Sequence, residues 1–221
     1  MSVRPPARAA QLNRGALGRS VVHSAPQKAV YLLVVSGYAD WEPAHALAEL
    51  RRHGGYRVEV VGLTMEPVKS MGGLTVQPSK SLRAVDVADI AVLILPGGDR
   101  WETQAVEPQL IEFLHQLDHA AVPIAAICAA TTVMVRAGLV RGRRHTSNGL
   151  RYLQRQVPAY EEAASYVDAP AVRDRGLITA TGLGDVEFAA AIMEELGVLD
   201  ADSRERWTAL FRAGRVPPGA A

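Results

Sequence analysis

Three uninterrupted apolar runs constrain this chain more than any other feature. They are residues 29–35 (Ala-Val-Tyr-Leu-Leu-Val-Val), 90–95 (Ile-Ala-Val-Leu-Ile-Leu) and 122–127 (Val-Pro-Ile-Ala-Ala-Ile). Runs this short, without polar alternation, read as strands buried on both faces, the pattern of a parallel sheet. Parallel neighbours need a crossover between them, usually a helix. The sequence offers such helices. One opens at Pro43, where a missing N–H costs nothing, and stops before Gly54-Gly55; an amphipathic one covers 107–119. The expected class is α/β, a mainly parallel sheet with helices on both faces.

The rest of the chain fits that frame. Residues 56–63 alternate as a second strand, and 71–78 form a short hairpin arm turned by Gly72-Gly73. Beyond Gly138 the pattern is irregular. The expectation is a short strand at 143–147, a helix at 149–156 and an edge hairpin pairing 165–167 with 171–173. A strand at 177–181 closes on Gly182-Leu183-Gly184, Asp185 caps the next helix, and a last amphipathic helix spans 203–212. No repeat or linker divides the chain. We expect a disordered tail over 1–28, one α/β domain over 29–212, and a frayed end over 213–221.

Composition narrows the partners. A formal charge of +1 gives no electrostatic reason to expect nucleic acid or a membrane surface. No apolar run approaches the roughly 20 residues that span a bilayer. The arginine-bearing start lacks the apolar stretch of a secretory signal. A single cysteine rules out an internal disulfide and suits the cytoplasm.

That cysteine, Cys128, directly follows the third apolar run, and Ala129-Ala130 lead from it into a helical pattern. A side chain at such a strand-to-helix turn is held out of the sheet. The following helix end favours an anion, so the expectation is a stabilised thiolate. In open α/β sheets, sites form beyond the carboxyl ends of the strands. The loops there are 37–42, 96–101 and 128–131. If their strands are neighbours, a thiol, a Gly-Gly backbone and a carboxylate meet. Cys128 would be the nucleophile, and the N–H groups of Gly98 and Ala129 a cradle for an oxyanion. Glu42 or Asp40 would handle the proton. Blander readings stand beside these: a buried structural cysteine, a tight Gly97-Gly98 turn, and a Glu42 that merely complements a helix dipole. His115 and His119 share a helix face but lack a third ligand, so neither a metal nor another cofactor is expected. Trp101 and Tyr38 flank the predicted pocket, and His45 lies one turn past Glu42.

These residues resemble the ThiJ/PfpI superfamily, which has a flavodoxin-like fold related to the class I glutamine amidotransferases. Ala126-Ile127-Cys128-Ala129-Ala130 is similar to its Ala-Ile-Cys-Ala-Gly elbow, and residues 37–42 to the segment ending in its buried glutamate. Leu95-Pro96-Gly97-Gly98 is similar to its Pro-Gly-Gly loop, and Gly176-Leu177-Ile178-Thr179 with Phe188-Ala189 to its last strand and helix. The resemblance implies a flavodoxin-like three-layer α/β/α sandwich, a reactive Cys128 and Glu42 as its carboxyl partner. It also implies a small-molecule substrate, a homodimer, and either of two functions. One is a cysteine-dependent hydrolase, amidase or glyoxalase/deglycase-type enzyme. The other is a redox or stress sensor acting by oxidation of Cys128. A ligand-sensing regulator ranks lower, since no helix-turn-helix segment follows Leu196. The chain departs from the family where many members carry a histidine after the elbow helix. Asn148, not His145, aligns there, which removes the obvious imidazole base and disfavours PfpI-type proteolysis.

Overall fold

A computed structural model describes residues 28–214. The expected terminal tails therefore lie almost wholly outside the described residues. The three apolar runs form strands β1 (Ala29–Val34), β6 (Ile90–Leu95) and β7 (Ile124–Ile127), each buried along its length. Between and after them come β2 (Val58–Gly62), β3 (Val68–Lys69), β4 (Thr75–Val76), β5 (Lys80–Ser81), β8 (Ala171–Asp174) and β9 (Leu177–Ala180). Seven strands make one sheet in the order β5-β2-β1-β6-β7-β9-β8. Every pairing is parallel except β8 with β9. This is the flavodoxin-like α/β arrangement that the runs require.

The helices are α1 (Ala44–Arg52), α2 (Arg100–Thr103), α3 (Pro108–His119), α4 (Thr131–Arg136), α5 (Leu150–Gln156), α6 (Asp185–Glu195) and α7 (Ala201–Ala213). α1 packs on α6, which also lies against β8, β9 and α7. α1 carries the chain from β1 to its neighbour β2. After β5 the chain returns across β1 to lay down β6 on the other side. The β1–β6 seam is thus the point where the winding reverses, and a crevice opens beyond the carboxyl ends of these strands. The small hairpin β3–β4 docks there: Met71 N–H donates to Tyr38 O (2.8 Å), and Gly37 N–H to Lys69 O (2.7 Å).

Three local expectations are corrected. The edge hairpin pairs β8 with β9, not with 165–167. Arg175 and Gly176, both at positive φ (47° and 78°), form its two-residue turn, whose twist suits a tight antiparallel hairpin. Residues 143–147 form no strand; His145 makes one isolated bridge to Tyr166. Asp185 is the first residue of α6 rather than its cap, a position held by Gly184 without a side-chain bond.

Both sheet edges are short and charged. On β8, Arg173 reaches Glu194 and Glu195 of α6, each at 2.7 Å. On β5, Lys80 Nζ donates to Tyr31 Oη at 3.1 Å.

The core is continuous across β1, β6 and β7. Leu93, in its middle, has no solvent exposure. Leu93→Ala should lower the unfolding free energy by about 3 kcal/mol, through lost transfer energy and the cavity left behind. Denaturant titration measures it. A cost below about 1 kcal/mol would contradict the close packing of β6.

Candidate active site

The strand order makes β1, β6 and β7 consecutive, so their loops converge. The loop after β1 lies against the loop after β6: Tyr38 bridges Gly98, and Ala39 N–H donates to Gly97 O at 3.0 Å. Gly98 has no room for a side chain, since a Cβ there would lie 2.7 Å from Gly37 O. This contact delivers Glu42, which precedes the Pro43 cap of α1, to the seam. Its side chain is 1% exposed, and Oε2 accepts the Gly97 N–H at 2.5 Å.

Cys128 follows β7 with φ of +59°, in the left-handed region that a non-glycine residue enters at a cost of about 1–3 kcal/mol. A tight turn, Cys128–Ala130, then runs into α4. Two threonines hold this elbow. Thr131 Oγ1–H donates to Cys128 O (2.6 Å) and shares a second hydrogen bond with Ser147 Oγ (2.6 Å). Thr132 Oγ1–H donates to Ala129 O (2.7 Å) and accepts from Arg136 (2.9 Å). The result is a partly buried cysteine at the sheet's rim.

Gly97 packs against both Cys128 and Glu42. A Cβ on Gly97 would lie 2.7 Å from Cys128 Cβ and 2.9 Å from Glu42 Oε2. On the other flank, a Cβ on Gly182 would sit 2.8 Å from Sγ. Asn148 completes the shell. Its Oδ1 accepts the Gly182 N–H (2.9 Å), which orients Nδ2 to donate to Sγ (3.2 Å).

Burial pushes Glu42 up to about 7, against the Gly97 N–H and a hydrogen bond with Cys128, which favour its charged form; the Asp185 charge adds a small further rise. The thiol is pushed up to about 11, first by burial and then by the Glu42 carboxylate, while Asn148 and the Ala129 N–H pull it down. The expectation of a thiolate stabilised by the elbow helix is therefore corrected. α4 is a short helix, and an acid sits on the same atom. Part of the push vanishes when Glu42 is protonated, so thiol and carboxyl behave as a pair that holds one proton between about pH 7 and 11.

The sequence named other candidates for this site. Asn148 belongs to it. His145 does not: it is buried, with Nδ1 against Arg143 O (2.8 Å) and Nε2 against Tyr160 Oη (2.7 Å). Trp101 is a core residue whose indole N–H donates to Pro96 O (2.9 Å). Asp40 turns to the hairpin and accepts Gly72 N–H (2.6 Å). His45 packs against Trp207 and Phe211 and faces Asp185 at 3.4 Å. A cleft of about 520 Å³ opens over Cys128 and Glu42. Trp41, Ser147, Gly149, Asp168, Thr181, Gly182 and Leu183 also line it, and the sequence reading had missed all of them as site residues. The available signal was position: 181–183 follows the strand that neighbours β7. Among the described residues, no group of three or more His, Cys, Asp or Glu is placed to hold a metal ion. No described helix is long and apolar enough to cross a membrane.

Two outcomes follow from this geometry. Glu42 rises on folding from an ordinary 4.5 to about 7, so the native state holds an extra proton between those values. Its favourable contribution is complete below pH 4.5 and fades as pH rises through 7, by about 3 kcal/mol. Glu42→Gln should match wild type near pH 4 and gain on it steadily towards pH 8 in denaturant titrations. A gap that stays constant with pH would refute the buried neutral carboxyl. Separately, Gly182→Ala should cut the rate of Cys128 alkylation by iodoacetamide at least tenfold while leaving the fold intact; an unchanged rate by intact mass would refute the close approach.

Comparisons with known proteins place the chain in a family. Residues 28–195 match the model of the DJ-1/PfpI family. The chain is 34% identical over 186 residues to the "uncharacterized protease YoaZ" of Bacillus subtilis, covering 80% of this chain and 88% of that one. It is 29% identical over 182 residues to the "glutathione-independent glyoxalase DJR-1.2" of Caenorhabditis elegans, covering 78% and 90%. Among solved structures, the DJ-1 superfamily protein Atu0886 of Agrobacterium tumefaciens superposes with a TM-score of 0.78 at 32% identity, over 85% of this chain and all of that one. With elbow, glutamate and Pro-Gly-Gly loop converging at one seam, the chain belongs to the DJ-1/PfpI family.

Proposed function

We propose that this protein is a cysteine-dependent small-molecule enzyme of hydrolase/amidase or glyoxalase type. Cys128 is its nucleophile, Glu42 its proton partner, and the Gly98 and Ala129 N–H groups its anion cradle. The observation that carries the reading is a buried Glu42 held by Gly97 N–H directly beside a sulfur on a left-handed elbow. Above about pH 7 the pair rests as carboxylate and thiol. When a carbonyl enters, sulfur attacks its carbon and the thiol proton passes to Glu42. The carbonyl electron pair moves to oxygen, where backbone N–H groups stabilise it. The protonated Glu42 then returns the proton, to the alkoxide of a hemithioacetal or to the departing amine of an amide. No imidazole is needed, which fits Asn148 at the position aligned with the family's histidine.

The sensor alternative is less well supported. Sensor cysteines are acidic, accessible and often beside a second, resolving thiol. Here the thiol is pushed up to about 11 and the sequence holds no other cysteine.

Turnover of methylglyoxal and release of ammonia from simple amides test the enzyme. Cys128→Ala should abolish activity, and Glu42→Gln should reduce kcat by about 10²- to 10⁴-fold. Because the base form of Glu42 is the working one, kcat/KM should rise with pH through about 7. No turnover on either class, together with peroxide-driven addition of two oxygens at Cys128 by intact mass, would transfer the case to the sensor.

A further inference from the structure

The cleft over Cys128 has a consistent charge. None of its ten lining residues is a Lys, Arg or His, and two, Glu42 and Asp168, are acids. The two acids differ. Glu42 is buried and engaged with Gly97 and the sulfur. Asp168 is exposed at the rim, and none of the ion pairs among the described residues involves it. Its backbone is nonetheless fixed. Val167 N–H donates to His145 O (2.8 Å), and Ala169 O accepts from Thr146 Oγ1 (2.9 Å). The carboxylate is therefore presented on a held segment. The cleft also contains Trp41, half exposed, whose ring offers a face to a cation. Asp185, the acid whose charge acts on Glu42, already faces His45, which leaves Asp168 as the acid without an ion-pair partner among the described residues that line the cleft.

We propose that the cleft selects substrates carrying a positively charged nitrogen near the reacting carbonyl, and disfavours carboxylate- or phosphate-bearing ones. Asp168 and Trp41 are the specificity-determining residues. This rests on Cys128 being the reacting atom. Asp168 attracts the cation, Trp41 covers it, and Ser147, Asn148 and Thr181 supply neutral polar contacts. An anionic substrate meets the same carboxylate with no compensating cation among the described lining residues.

The lone cysteine makes a direct test possible without knowing the substrate. Cys128 is treated with methanethiosulfonate reagents bearing a trimethylammonium or a sulfonate head, at low ionic strength and about pH 6, where Glu42 is mostly protonated. Rates are read by intact mass and divided by those of 2-mercaptoethanol. The cationic reagent should react about three- to tenfold faster than the anionic one, and the ratio should shrink in high salt. Asp168→Asn should bring the ratio near unity, and Asp168→Lys should invert it. A wild-type ratio at or below one overturns the proposal, as does a ratio unchanged in both Asp168 variants. A sulfur inert to both reagents, and to the neutral methyl reagent, overturns the enzymatic reading itself; equal rates overturn only the charge selection.

Discussion

A single hydrogen bond, from the Gly97 amide to a glutamate with almost no contact with water, organises this molecule. It exists because the winding of the sheet reverses between β1 and β6, leaving two loops to meet with no strand between them. The amide needs a residue without a side chain, since the thiol and the acid occupy the space where a Cβ would stand. A carboxyl in that position resists ionisation, and an ionised carboxyl resists a neighbouring thiolate. Topology thus sets the distance, and the distance sets the proton affinity of both groups.

The elbow illustrates how strain at a site is supported from outside it. Cys128 occupies a backbone region that costs free energy. The surrounding interactions keep it there. β7 is hydrogen-bonded to β6 and β9, two threonine hydroxyls bind the carbonyls of the turn, and Asn148 bonds both the sulfur and Gly182. The threonines belong to the helix that follows the elbow, whereas β6, β9, Asn148 and Gly182 come from distant parts of the chain. The reactive geometry is a product of the whole parallel sheet.

Much of this was legible in the residues, and the exceptions are informative. The continuous runs at 29–35, 90–95 and 122–127 read as central strands, and the meeting of a thiol, a Gly-Gly backbone and a carboxylate followed from their adjacency; the preference for Glu42 over Asp40 came from the family resemblance. The hairpin partner of 171–173 was not legible. Residues 165–167 have equal β character, and the choice was made by the positive-φ pair Arg175-Gly176. The thiol's proton affinity was misjudged because a helix end is visible in sequence, whereas desolvation by distant residues is not. His145 looked available, yet a tyrosine fifteen positions on claims its ring. Gly182 reads in sequence only as the close of a strand, and Asp168 carries no motif at all. They matter only through what the fold sets beside them.

The margins of the sheet carry a consequence of their own. A twisted parallel array with a functional cleft at its rim has two open sides, each a template for a foreign strand. Here one side ends in a two-residue strand bearing Lys80. The other ends in a reversed strand whose Arg173 is tethered to two glutamates of a covering helix. Stray backbone that docks there must displace a tethered cation or pair with a fragment too brief to hold it. Crowded molecules of this protein thus have little means of zipping into fibrils through their sheet edges, so the fold retains a rigid centre without becoming adhesive at its borders.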